Sequence, residues 1–328
     1  MIVRRRDFFT LLGGAAAAWP LAARAQQPPG SIPRVAFLGA ESASTNRHFF
    51  DAFRQGMREH GYIDGQNVTL VERWGDGRRE RFPELIAELL GMKINVIVAV
   101  SASAALAAKT ATVPVVFIAS DPLGVGLVPS LARPGGNLTG FSLFLGDEFS
   151  SKWLELLNEA VPAASRVAMI WNPVNPTNTR YVPVLQGAAG KLGITLHVQA
   201  VSAPDQFEDA FASIVAARAQ ALIVVVDPLT VRYRDRVVEL AMRHRLPAMY
   251  GFREFVDAGG LIAYGVNVPS LCRRAAVYVD KIIKGANPAE LPVEQPTSFE
   301  FIINLKAAKA LGLELPPTLI ARADEVIE

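Results

Sequence analysis

The chain has 328 residues, 51% of them hydrophobic and 20% charged, with a net charge of +2 and one cysteine. That length allows two domains, each with its own core. The near-neutral charge leaves no electrostatic footprint for nucleic-acid binding, and a lone cysteine excludes an intrachain disulfide.

The first residues do not read as fold. Arg4, Arg5 and Arg6 form a basic start, Phe8–Leu21 is mostly apolar, and Ala23-Arg24-Ala25 sets small residues before a cleavage point. This is the three-part pattern of an export signal, and its apolar part is shorter than the roughly 20 residues of a bilayer span. Arg5-Arg6-Asp7-Phe8-Phe9 also resembles a twin-arginine signal, from which Arg4, Phe9 and Thr10 depart. Residues 1–25 are therefore expected to be removed on export, by the twin-arginine or the general secretion route. They hold four arginines and one aspartate, +3 together, so the remainder of the +2 chain carries −1. Later apolar runs are all cut by charges or proline, so no membrane span is expected in the mature chain.

After a Pro/Gly linker at 26–33 the chain alternates. Val35–Gly39, Val68–Trp74, Val96–Val100 and Val113–Ala119 read as strands, and Arg47–His60, Glu80–Leu90 and Ala104–Ala111 as helices between them. Gly124–Leu131 reads as a helical turn, and Asn137–Ser142 closes the set. A second set follows. Its strands are Val167–Trp171, Ile194–Val201, Ala221–Val226, Pro247–Tyr250 and Leu261–Val266. Its helices are Ser150–Glu159, Tyr181–Leu192, Phe207–Ala217, Arg232–His244 and Leu271–Lys284. Phe299–Asn304 and Leu305–Leu311 add a strand and a helix. Strands alternating with helices predict right-handed βαβ units, and their occurrence twice predicts an α/β protein of two Rossmann-like parallel-sheet lobes. The first lobe is expected from 34–142 and 267–292, the second from 143–266 and 293–328. Gly140, Phe141 and Ser142, at the exit of the first lobe, are the expected hinge.

No catalytic set emerges. His48, His60, His197 and His244 form no pair at metal-ligand spacing, and there is no CxxC or HExxH, so no metal is expected. Cys272 lies on the apolar side of a helical pattern and reads as core filler. Leu38-Gly39-Ala40 lacks the glycines of a dinucleotide loop, and no phosphate loop or nucleophile elbow occurs, so no cofactor is expected.

What remains is a set of polar residues at the carboxyl ends of strands, where open parallel sheets bind ligands. In the first lobe these are Glu41, Ser42, Ser101, Ser103, Ser120 and Asp121; in the second, Asn172, Asn175, Asp227, Tyr250, Phe252 and Glu254. Each alone is an ordinary helix cap or core residue. Together, on two facing edges, they predict a cleft. Helix N-termini behind Ser42, Ser103 and Ser120 favour an anionic group, and Asp121, Asp227 and Glu254 an ammonium. Tyr250, Phe252 and Trp171 offer aromatic contact. Both signs together point to a zwitterion such as an amino acid.

Several segments carry a family resemblance: ARAQQ after the signal, PRVAFLGAESA, AFRQGMREHGYIDGQNV, the whole of Val96–Ser142, WNPVNP, and the tail NLKAAKALGLELPPTLIARADEVIE. They resemble the ABC-transporter substrate-binding proteins, a family that includes tryptophan/tyrosine-type members. SDPLGVGLVPSLARPGGNLTG is the most specific segment, and the resemblance covers essentially the whole chain. It implies the type I periplasmic-binding-protein architecture, a periplasmic location, and a permease with its ATPase subunit as partners. It also implies that Ser101, Ser103, Ser120 and Asp121 hold the ligand's backbone groups, and that Asp227 or Glu254 meets its ammonium. No lipobox cysteine stands near the signal, so a free, monomeric protein without an enzymatic step is expected. Two alternatives remain open: an exported α/β enzyme using Asp121 and Asp227, and a ligand-sensing domain acting with a membrane receptor.

Overall fold

A computed structural model describes residues 32–143, 147–175, 177–297 and 299–328. The expected export signal and most of the 26–33 linker lie outside the described residues.

The first lobe runs β1 (Arg34–Gly39), α1 (Ala43–Glu59), β2 (Thr69–Trp74), α2 (Phe82–Gly91), β3 (Val96–Val100), α3 (Ala102–Ala108), β4 (Val115–Ala119) and β5 (Leu138–Ser142). Its five strands are all parallel, in the order β2-β1-β3-β4-β5. Every residue of β3 and β4 is buried. A strand covered on both faces has no solvent side for polar residues, which explains the unbroken apolar runs. The expected helical turn at Gly124–Leu131 is instead a series of turns. Pro122, Gly124, Gly126 and Pro129 give it too little helix propensity.

The second lobe begins with α4 (Asp147–Ala160), β6 (Arg166–Trp171), α5 (Tyr181–Lys191), β7 (Thr195–Ala200), α6 (Phe207–Ala216), β8 (Ala221–Val224) and α7 (Pro228–Arg232). It continues with α8 (Arg234–Arg243), β9 (Ala248–Tyr250), α9 (Arg253–Asp257) and β10 (Ile262–Gly265). The chain then returns to the first lobe as α10 (Val268–Ile283), and re-enters the second as β11 (Glu300–Asn304), α11 (Leu305–Leu311), α12 (Pro317–Ile320) and β12 (Glu325–Ile327). The second sheet has seven strands in the order β12-β11-β10-β9-β8-β6-β7. It departs from an all-parallel sheet at one place, since β11 runs antiparallel to β10. The tail also supplies α12 and β12, which the sequence pattern did not indicate.

Each sheet is a middle layer. In the first lobe α1 and α10 cover one face and α2 and α3 the other. In the second, α4, α5 and α11 cover one face and α6, α8 and α9 the other. Val293 is buried in the first lobe's core, and Glu294 exchanges backbone hydrogen bonds of 2.9 Å with Gly140 and Ser142. The last crossing between lobes therefore falls beyond Glu294, not at Val293. Gly140, Phe141 and Ser142, expected as a hinge, are tied between β4 and Glu294. Phe141 is buried, with its ring 5.2 Å from that of Tyr278. Backbone paired on both sides is restrained from bending, so these three residues form part of the first lobe's sheet. Among the described residues no helix is long and apolar enough to cross a membrane.

The pair α1 and α10 holds the return crossing in place, and Gly56 is where they meet most closely. A Cβ there would run into the Arg273 carbonyl. Removing a glycine from a helix gains about 1 kcal/mol, whereas overpacking costs about 1–3 kcal/mol. At Gly56 the steric cost wins. Gly56→Val is thus expected to lower the urea midpoint. Gly187→Ala in α5, with nothing within 4 Å of its added methyl, is expected to raise it.

Candidate ligand-binding site

Both sheets reverse their winding direction at one point. In the first, β1 lies between β2 and β3; in the second, β6 lies between β7 and β8. At such a point the loops leave in opposite directions and open a crevice at the strands' carboxyl ends. Here the two crevices face one another and enclose a cavity of about 130 Å³. The first lobe contributes Glu41, Ser101, Ser103 and Ser120, and the second Asn175, Asp227 and Phe252. Apolar side chains, among them Phe49, Val226 and Val231, make up much of the remaining wall.

Local structure aims these groups. Ser101 caps α3, its Oγ accepting from the Ala104 N–H at 3.1 Å and lying 3.1 Å from Ser103 Oγ. Its φ is +140°, and that of Asp121 is +42°. Both values are strained for residues with a side chain, and such strain collects where loops are shaped for a ligand. Ser120 makes no hydrogen bond with any described residue and presents a free hydroxyl. Asn46 also lines the cavity, at a kink in α1 where its φ of −126° leaves the helical range.

Five of the expected site residues do not line this cavity. Asp121 is buried beneath it, accepting from the Gly124 N–H at 3.0 Å and from Arg180 Nη1 of the second lobe at 3.1 Å. Glu254 faces His48 of the first lobe, with 3.3 Å between Oε1 and Nε2. Asn172 donates to Asp227 at 2.9 Å. Ser42 sits at the start of α1, its Oγ 2.8 Å from Ser44 Oγ. Tyr250 points into the second lobe's core, stacked on Phe255 at 4.8 Å. Trp171 likewise packs against apolar core.

The cavity's two acids are in opposite situations. Asp227 has its carboxylate filled by four donors: Asn172 and Leu229 N–H at Oδ1, Asn175 and Asn178 at Oδ2. It orders its own lobe and has no lone pair in want of a partner. Glu41 is only 4% exposed, and its Oε2 has no hydrogen-bond partner among the described residues. The nearest cation is Arg232 Nη1 of the second lobe, at 3.9 Å. Burial raises the Glu41 pKa from 4.5 to about 7, opposed by Arg232 and assisted by the Asp227 and Asp76 charges. A buried carboxylate left this way is a place prepared for a cation.

Among the described residues no group of three or more His, Cys, Asp or Glu could hold a metal ion. Cys272 is buried, and burial pushes its thiol pKa up, so it stays neutral and unreactive.

Comparison with known proteins settles the family. The model of the family described as ABC transporter substrate binding protein matches residues 40–327. The chain belongs to that family. It is similar to the tyrosine-binding protein of Clostridioides difficile (strain R20291), 27% identical over 265 residues, covering 80% of this chain and 76% of the relative. An ABC domain from Streptococcus pneumoniae in complex with L-Trp overlays with a TM-score of 0.82 at 24% identity, over 90% of this chain and 100% of that one. The ligand-free, open structure of a substrate binding protein from Clostridium difficile gives 0.69 at 23% identity, over 90% and 99%. These likenesses establish the type I periplasmic-binding-protein fold.

Sequence reading missed several residues that this substrate-binding protein brings to the cleft. Arg180 and Arg232 cross from the second lobe, Arg79 and Phe49 line the first, and Asn178 completes the amides on Asp227. Asn178 had a signal, as the third asparagine of the run Asn172, Asn175, Asn178. The arginines had none, because their partners lie 59 and more residues away.

The Glu41 pKa is raised above its unfolded value. Its stabilising contribution is therefore complete below pH 4.5 and lost as pH rises through about 7. At 1.36 kcal/mol per pKa unit the loss is on the order of 3 kcal/mol. Glu41→Gln is expected to raise the melting temperature of the ligand-free protein at pH 8 and to leave it nearly unchanged at pH 4.5. Equal shifts at both values would mean that the Glu41 charge is not strained by burial.

Proposed function

We propose that this chain is the extracytoplasmic solute-binding component of an ABC importer, capturing a zwitterionic amino acid with an apolar or aromatic side chain between its lobes. The observation that carries this reading is Glu41: a buried acid with a free oxygen, in the wall of a cavity whose other acid, Asp227, is already saturated and whose remaining lining is mostly apolar groups, hydroxyls and amides with Arg79 at one side. A ligand ammonium satisfies that oxygen, and a charge-assisted hydrogen bond of this kind contributes about 1.5–3 kcal/mol. The side chain is held by burial against Phe49, Val226 and Phe252. The tyrosine-binding relative and the L-Trp complex support an aromatic ligand. Delivery to a permease and its ATPase subunit follows from the family, and capture needs no covalent step.

Binding and closure are one event in this reading. Arg180 to Asp121, His48 to Glu254, and Arg232 to the Asp76 carbonyl at 2.5 Å all join the lobes and exist only when they are together. A ligand that touches both walls shifts the population toward that closed state.

Calorimetry with L-tyrosine, L-tryptophan and L-leucine tests the function. At least one is expected to bind with a simple 1:1 isotherm, and Glu41→Gln is expected to weaken it ten- to a hundredfold, about 1.4–2.8 kcal/mol. No binding of any amino acid, or conversion of the bound compound seen by NMR, would sink the reading. Arg180→Met tests closure separately. A single half-exposed ion pair holds about 0.5–1 kcal/mol, so every ligand is expected to weaken by the same few-fold factor. A loss confined to one ligand would show that Arg180 touches the ligand rather than the latch.

A further inference from the structure

The cavity opens outward at Glu41. Glu41, Arg79, Asp227 and Pro228 also line a second chamber of about 300 Å³, whose other walls include Gly77, Arg232 and Tyr233. Glu41 therefore stands at the junction of the two chambers. Their character differs. The inner chamber is apolar apart from its hydroxyls, amides and shared charges, whereas the outer one adds Arg232, 3.9 Å from Glu41 Oε2, to the Arg79 that lines both. Arg79 is exposed and has no ion-pair or hydrogen-bond partner among the described residues. Arg232 reaches across the lobes to lie 3.9 Å from Glu41 Oε2 while donating to the Asp76 carbonyl. Gly77 leaves it room, for a Cβ there would collide with the Arg232 guanidinium.

An α-amino acid carries its ammonium and carboxylate on one carbon, so both must find partners around a single point. The buried acid that lacks a partner fixes that point at Glu41. The cation beside it is Arg232, and Arg79 stands in the wall of the same chamber. Resting on the amino-acid reading above, we propose that the outer chamber is the carboxylate subsite. Arg79 and Arg232 take the ligand's carboxylate, Glu41 takes its ammonium, and the side chain enters the inner chamber. This orientation reverses the role expected of the serines. Ser101 Oγ already caps α3. Ser103 and Ser120 are then left for the far tip of the side chain. The site thereby selects an apolar shaft ending in a hydrogen-bonding group, as in a phenol.

L-tyrosine, its decarboxylated analogue tyramine, and L-phenylalanine are the probes, with calorimetry as the readout. The wild-type protein is expected to bind L-tyrosine at least tenfold tighter than tyramine. The double variant Arg79→Met/Arg232→Met is expected to weaken L-tyrosine at least tenfold and leave tyramine unchanged. Arg79→Met alone, at an exposed side chain without partners, keeps the test valid if the double variant does not fold, and should weaken L-tyrosine severalfold. Ser103→Ala/Ser120→Ala is expected to weaken L-tyrosine and spare L-phenylalanine. Equal weakening of L-tyrosine and tyramine in the arginine variants would assign those residues to closure and overturn the subsite. Unchanged L-tyrosine affinity would overturn it as well. If L-tyrosine and L-tryptophan both fail to bind the wild-type protein, the amino-acid reading falls together with this one.

Discussion

A parallel strand buried on both faces can carry polar groups only where it ends. That constraint shapes this protein more than any single contact. β3 and β4 are apolar at every position, so their chemistry is displaced to Ser101, Ser103, Ser120 and Asp121. β8 behaves likewise, and Asp227 follows three residues after it. Two sheets so built, with their strand-order reversals opposed, must enclose polar groups between two apolar bodies. The enclosed space has a low effective dielectric, where a satisfied charge rigidifies the wall and an unsatisfied one waits for a partner.

The acids at the cleft follow that division. Asp227 is saturated by three asparagines and a backbone N–H, and holds the second lobe's loops in register. Asp121 and Glu254 are paired across the lobes with Arg180 and His48. Of these acids only Glu41 keeps a buried oxygen without a hydrogen bond among the described residues. One acid saturated within its own lobe, two paired across the lobes, and one with a buried oxygen left over are thus made from the same carboxyl chemistry. The difference lies in what the facing lobe supplies.

That difference decides how much could be read from the sequence. Strands and polar ends were legible because an apolar run of five residues followed by Ser or Asp is a local pattern. Which face a residue takes is less legible. Tyr250 ends a three-residue strand, and nothing nearby says whether its ring turns to the cleft or, as it does, onto Phe255. That Asn172 and Asn175 donate to Asp227 was not legible, because that acceptor is more than fifty residues away. Arg180 and Arg232 are placed opposite the first lobe only by the crossings after β5, β10 and Glu294, which fix how the lobes meet. The pairing of Phe141 with Glu294 was hidden for the same reason: that strand-like partner arrives from far along the chain.

The cleft between the lobes is therefore not built for maximal stability. Ser101 and Asp121 hold strained backbone at the mouths of β3 and β4, and Glu41 is buried at a cost to its charged form. Each lowers stability, and all three lie at or just beneath the cavity wall. The cross-lobe contacts that oppose this strain are half-exposed on their basic side, at 42–45% for Arg232, Arg180 and His48. Water competes for such groups, so they hold the lobes only weakly. The join between the lobes thus combines weak ion pairs with a buried charge that lacks a hydrogen bond.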